Sequence, residues 1–322
     1  MTTKHMGAPL LAAALLAAAA LAAVARAAPA GTDFSPPWSP PPAGGGLAFS
    51  VAPFDEVVDL HGDVVDPQLS VFFAGNQFMV VHDLIAAFSQ AYPRYRRIYV
   101  ETLPPGALAA QIEAGALIMG NMRIDLKADV YTAGKRRIEA LQKSKHWFGE
   151  TYDYAANKLA IMVAAGNPRR LRGIADLGRA DIRVSMPNPR FEGIARQIEA
   201  IYRKVGGAAL ERTIMETKVK AGTTILTQIH HRQTPLNVLT GRADAGVVWF
   251  TEAFFQQRLL HHPVGVVPIP DEDNLHVTYA AAVMRAAPHP RAARDFLKFL
   301  GTPTAQAIYR KYGFEPPPRS RP

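Results

Sequence analysis

Short apolar runs of strand length recur from Gln68 onward, each followed by a stretch with helical periodicity, and that alternation leaves few folds open to the chain. Leu69-Ser70-Val71-Phe72-Phe73-Ala74 is apolar enough for a strand covered on both faces, and Gly75 closes it. Val81, Leu84, Ile85 and Phe88 then fall on one face of a helix that Pro93 ends. Ile98-Tyr99-Val100-Glu101 reads as the next strand, Pro104-Pro105-Gly106 as a turn, residues 107–114 as a helix and Ala128-Asp129-Val130-Tyr131 as a third strand. This βαβαβ order predicts an open sheet with helices on both faces.

A second unit starts at residues 158–163. Residues 182–185, 245–249 and 264–269 read as strands, and the helix after the first of these carries Ile194, Ile198, Ile201 and Tyr202 on one face. Residues 277–284 form a long β-prone run, and residues 290–312 read as two helices broken at Gly301-Thr302-Pro303. About 250 residues of such alternation suit two domains of 100–150 residues.

The N-terminus reads differently. Lys4 precedes an unbroken run of Ala, Leu and Val over residues 10–24, and Ala25-Arg26-Ala27 is a small-x-small cleavage site, so residues 1–27 are expected to be a secretory signal. A membrane anchor would need a longer run, ~20 apolar residues. The chain has no cysteine, which excludes a lipidated N-terminus, disulfide staples and thiol chemistry. Cleavage after Ala27 would lower the formal charge from +9 to +7, leaving 34 basic against 27 acidic residues. A basic surface speeds the arrival of anions. Nucleic-acid binding would need clustered basic residues with interleaved aromatics, whereas here Lys and Arg are spread along the chain. Residues 28–66 are read as a lead-in, rich in Pro and Gly as far as Gly46 and expected there to be extended or disordered. Within them Asp59-Leu60-His61-Gly62-Asp63 reads as a turn, with a structured cap as the alternative, and His61 and Asp63 alone do not make a metal site.

In open α/β sheets ligands sit beyond the carboxyl ends of the strands, where helix starts offer free N–H groups. The candidate turns carry Asn76 and Gln77; Thr102 and Gly106; Asn188 and Arg190; and His230, His231, Arg232 and Thr234. The last is the sharpest. Thr234 and Pro235 read as an N-cap and first helical residue, and Arg232 can grip a carboxylate or oxyanion through two parallel hydrogen bonds. The two histidines can donate as imidazolium or coordinate a metal, although adjacent histidines point differently and no carboxylate partner stands beside them. On this reading Arg232 lies exposed in a cleft. A hydrolase can be drawn on paper from Ser185 and the histidines, but the chain has no G-x-S-x-G elbow, P-loop or G-x-G-x-x-G.

Several segments resemble periplasmic solute-binding proteins of the molybdate-binding type, in that family's order. They are Phe73-Ala74-Gly75-Asn76, Leu108-Ala109-Ala110-Gln111-Ile112-Glu113-Ala114-Gly115, Ala128-Asp129-Val130-Tyr131, Asn157-Lys158-Leu159-Ala160, and Gly241-Arg242-Ala243-Asp244-Ala245-Gly246 with the terminal helices. The resemblance implies a type II periplasmic binding fold. Two Rossmann-like α/β lobes, residues 67–157 plus 281–316 and residues 158–280, would be joined by a two-strand hinge near residues 158–163 and 277–284. It also implies a non-enzymatic receptor that closes on a small anion, needs no cofactor, works as a monomer and hands its ligand to the permease of an ABC importer. A ligand sensor or adaptor without a transport role is the alternative. The family tyrosine that reaches the ligand corresponds to Trp249, and the Ser- and Ala-rich ligand loops of the molybdate binders correspond to Asn76-Gln77 and Leu103-Pro104-Pro105-Gly106. The fold therefore carries over better than molybdate as the ligand.

Overall fold

The computed structural model describes residues 47–50, 58–119, 122–190, 192–228 and 232–318. The expected signal and most of the lead-in lie outside these residues. The strands are β1 (Leu47–Ser50), β2 (Val58–Gly62), β3 (Leu69–Phe72), β4 (Ile98–Glu101), β5 (Leu117–Met119), β6 (Met122–Ile124), β7 (Val130–Gly134), β8 (Phe148–Ala164), β9 (Val184–Met186), β10 (Thr224–Leu226), β11 (Ala245–Trp249), β12 (Val264–Pro268) and β13 (His276–Met284). The principal helices are α1 (Val81–Ala91), α2 (Pro105–Ala114), α3 (Lys135–Lys145), α4 (Gly193–Arg212), α5 (Gln233–Leu239), α6 (Phe250–Phe254), α7 (Pro290–Leu300) and α8 (Pro303–Lys311).

The strand order is β1-β2-β4-β3-β7-β13-β8-β11-β9-β10, with β12 also on β8, and β5-β6 forms a separate hairpin. Each half has a parallel centre: β4-β3-β7 in the first, β10-β9-β11 in the second. The halves meet at two long antiparallel strands. β13 pairs with β8 from His276 opposite Lys158 to Met284 opposite Phe148, and with β7 on its other edge. Beyond Lys158 the same strand β8 continues into the second half, where Leu159–Val163 pairs with β11 and Ala160–Ala164 with β12. The chain is thus a two-lobed α/β protein with a two-strand hinge. The hinge pairing is not the one expected from the sequence: residues 277–284 lie opposite residues 148–157, Lys158 meets His276, and residues 159–163 pair with β11 and β12 instead.

Among the described residues, the three larger apolar clusters hold these layers. One lies between the first sheet and α1, α7 and α8, with Phe73, Phe88, Phe296, Phe299 and Tyr309 at its centre. A second covers the opposite face, with Phe72, Tyr99, Tyr131 and Phe148. The third fills the second half around Ile161, Val184, Ile198, Tyr202 and Val247. β3 is buried along its whole length, as a strand covered on both faces must be. The C-terminal helices return to the first half, and Thr302 caps α8 by accepting from the Ala305 N–H. No helix among the described residues is long and apolar enough to cross a membrane.

The turn expected at residues 59–63 is a strand instead. β2 pairs antiparallel with β4, Leu60 opposite Glu101 and His61 opposite Val100. Val58-Asp59-Leu60-His61 alternates apolar and polar, the period of a strand, and Asp59 and His61 are both buried. The turn begins only at Asp63, whose Oδ1 accepts from the N–H groups of Val65 and Asp66. Pro104-Pro105-Gly106 also differs from its reading as a free turn, because Pro105 opens α2 and places Gly106 in its exposed first turn.

Candidate functional site

Arg232 carries a buried charged contact between the two halves. Arg232 stands immediately before α5 in the second half, and its Nη2 donates to Asp59 Oδ1 on β2 at 2.8 Å. The side chains of Arg232 and Asp59 are 1% and 0% exposed. Thr102, just past the end of β4, donates its hydroxyl to the same Oδ1 at 2.9 Å, and its N–H donates to the Asp59 carbonyl. The Phe78 ring lies beneath the guanidinium, 5.1 Å from centroid to Cζ, which adds a cation–π contact in a desolvated place. Such a constellation can present a planar cationic fork and a hydroxyl to an oxygen anion.

This overturns the expectation of an exposed Arg232. It also corrects the capping scheme. α5 begins at Gln233, so Thr234 lies inside the helix, and its buried hydroxyl is 3.0 Å from Ser185 Oγ, which also accepts from Asn237 Nδ2. The helix sits so close to β9 and β11 that a Cβ on Gly246 would lie 2.3 Å from Thr234 Cγ2 and 2.7 Å from the Ser185 carbonyl oxygen. Glycine is therefore required there by close approach. His230 and His231 lie outside the described residues.

The first strand-to-helix turn faces the hinge. Asn76 Nδ2 donates to the Tyr279 hydroxyl of β13. Gln77, expected at a ligand corner, is fully buried: its Nε2 donates to the Tyr154 hydroxyl of β8 at 2.6 Å and its Oε1 accepts from Tyr309 at 3.2 Å. A long polar side chain beside two buried tyrosines is held by the hydroxyls that need partners. Trp249 ends β11 with 7% exposure, in edge contact with the Tyr279 ring at 6.2 Å. Asn76 and Trp249 thus converge on one hinge tyrosine.

The third turn is closed by its own carboxylate. Glu192, preceding α4, accepts through Oε1 from the Asn188 N–H at 3.1 Å and from the Thr227 hydroxyl. Asn188 Oδ1 accepts from the Arg190 N–H at 3.1 Å, and the Arg190 side chain is exposed. Beside Asp59 in the first half stands a second buried acid, Glu101. Burial pushes its carboxyl up to about 7, and the Asp59 charge adds to the rise against hydrogen bonds from Gln111 and Tyr99. Among the described residues no group of three or more His, Cys, Asp or Glu is placed to hold a metal ion.

Of the predicted residues, Thr102 and Arg232 meet on one carboxylate, Asn76 and Trp249 meet at Tyr279, and Asn188 and Arg190 belong to the Glu192 turn. Gln77, Thr234 and Gly106 do not join either group. Sequence reasoning missed Asp59, Phe78, Glu101 and Glu192. The period-two pattern of residues 58–61 was the available signal for the first.

Two α/β lobes, each with a parallel centre, joined by crossed strands and meeting on buried polar groups, define a solute-binding protein of the two-lobed extracellular kind. The sequence profile of the bacterial extracellular solute-binding proteins matches residues 69–315, and the chain belongs to that family. It is a family of binding proteins. The molybdate-binding protein ModA of Mycobacterium tuberculosis strain H37Rv is 28% identical over 213 residues, 65% of this chain and 70% of that protein. The periplasmic molybdate-binding protein of Azotobacter vinelandii superposes with a TM-score of 0.60 at 17% identity, covering 77% of this chain and 99% of that one. The sulfate-binding protein SubI of Mycobacterium tuberculosis H37Rv superposes at 0.61 with 22% identity, covering 78% and 86%. These structures share the fold, type II of the periplasmic binding proteins.

Proposed function

We propose that this protein is the periplasmic receptor of an ABC-type importer and captures a small anion, an oxyanion of the molybdate or sulfate kind or a small carboxylate, by closure of its two lobes. The observation that carries the reading is the Arg232 guanidinium, buried at the junction of the halves and in contact with groups of the first. A cation held there can be shared by both lobes with a ligand, so neither lobe alone would bind well. Similarity to a molybdate-binding ModA and likeness to molybdate- and sulfate-binding structures support the ligand class. We assign Thr102 and Arg232 to ligand contact, and Asn76 and Trp249 to the Tyr279 hinge contact that senses closure. The lobes are residues 67–157 with 281–316, to which β2 adds its strand, and residues 158–280. Residues 1–27 are an export signal, and the mature protein is a monomer that docks on a membrane permease.

The experiment is a thermal-shift screen of molybdate, tungstate, sulfate, phosphate and small carboxylates. An anion at 100 times its dissociation constant stabilises the fold by roughly 2.7 kcal/mol. Stabilisation by one of them supports the reading. A flat response across the whole series contradicts it.

A further inference from the structure

The strand that carries Asp59 lies ahead of the family match, which begins at residue 69. It extends the first sheet beyond β4 and delivers a carboxylate to the cation at the junction of the halves. That carboxylate has the chemistry of the ligand assigned above: a compact oxygen anion taking hydrogen bonds from Arg232 and Thr102. A buried ion pair also adds little net stability, because desolvation of both charges offsets their attraction. Stability alone gives no reason to bury one here.

We propose that Asp59 is a tethered competitor for the anion site, so that a captured anion gains Arg232 only by exchanging with the Asp59 carboxylate. This rests on the anion-receptor reading. It makes Asp59 a specificity-determining residue. A ligand must be a better partner for the guanidinium than a carboxylate already held by Thr102, which disfavours weakly basic monoanions such as chloride and favours doubly charged oxyanions. Affinity becomes a difference between two anions competing for one cation, and specificity follows from that difference.

The test is calorimetric titration of wild type, Asp59→Asn and Arg232→Gln with molybdate, sulfate and phosphate against chloride at matched ionic strength. Asn keeps the shape of Asp and the acceptor for Thr102 but removes the competing charge. The proposal expects Asp59→Asn to bind at least tenfold tighter than wild type, and Arg232→Gln to bind at least tenfold more weakly. An Asp59→Asn protein that gains affinity for an anion wild type does not measurably bind also supports it. If wild type binds one of the anions and Asp59→Asn binds it equally or more weakly, the competitor role is overturned while the receptor reading stands. If neither protein binds any of them, the competitor role falls, and the receptor reading falls with it when the small carboxylates of the thermal-shift screen also give no response. Should Asp59→Asn be too unstable to purify, it is refolded from denaturant with sulfate or with chloride. Recovery that depends on sulfate beyond the wild-type response supports the proposal, and recovery that does not overturns it.

Discussion

Two carboxylates of the first half and two of the second have opposite surroundings. In the first half Asp59 and Glu101 are both fully buried, one facing a guanidinium and the other a tyrosine and a glutamine. In the second half Asp244 meets Arg183 at 2.9 Å with the arginine 43% exposed, and Arg179 and Asp181 pair at the surface. Burial pushes the Asp244 carboxyl up, but hydrogen bonds from Arg183 and Arg169 and from the Arg183 N–H outweigh it and hold the group below the usual carboxylate range. For Glu101 the balance runs the other way. Similar acids therefore do different work. Asp244 and Asp181 tie loops to strands near water, whereas Asp59 and Glu101 sit where removal from water makes each partner decisive.

The largest expected effect breaks the buried pair. Arg232→Ala leaves the Asp59 charge in a dry place, and should lower unfolding stability by about 3–5 kcal/mol in denaturant titration. An exposed cleft arginine would have cost almost nothing. Replacing both residues, as Asp59→Leu with Arg232→Met, should recover much of the loss, since an apolar pair of similar volume needs no compensation.

Next comes Glu101. Its carboxyl titrates at about 7 in the fold and near 4.5 when unfolded. The folded state thus holds its proton more tightly. This contribution is fully present below pH 4.5, declines as pH rises and is gone above about pH 7, a loss of about 3 kcal/mol. Comparing unfolding at pH 5 and pH 8, Glu101→Gln should lack that decline and be the more stable protein at pH 8.

The hinge comes third. Gln77→Ala takes one hydrogen-bond partner from each of the Tyr154 and Tyr309 hydroxyls, leaving them Thr132 and each other, and should cost about 1–3 kcal/mol. A change within 0.5 kcal/mol would mean that the tyrosines find other partners and that the turn is not braced against the hinge. The smallest effect belongs to the second half: Arg183→Ala should cost about 0–1 kcal/mol, since the arginine is partly exposed and Asp244 keeps Arg169.

Much of the fold was legible in the sequence because apolar periodicity reports which face is buried. The run at residues 69–72, the helix stripe Val81, Leu84 and Phe88, and the break at Gly301-Thr302-Pro303 each became the expected element. The polar interior was not legible. Asp59 and Arg232 are 173 residues apart, and nothing local in either says that it will meet the other. Short elements misled for a related reason. Thr234-Pro235 has the chemistry of a helix start, but packing of α5 on Gly246 and Ser185 drew Thr234 inside. Gln77 sat at the right corner and turned inward, because two buried tyrosines of distant elements supplied its partners.

The central claim is that the buried Asp59–Arg232 pair couples the two halves, and a double-mutant cycle measures that coupling directly. Unfolding free energies of wild type, Asp59→Asn, Arg232→Gln and the double variant would be determined without added anions other than buffer. The account predicts an interaction energy of at least 1.5 kcal/mol, the double variant losing far less than the sum of the single losses. Losses that add to within 0.5 kcal/mol would place Asp59 and Arg232 apart in solution and contradict it.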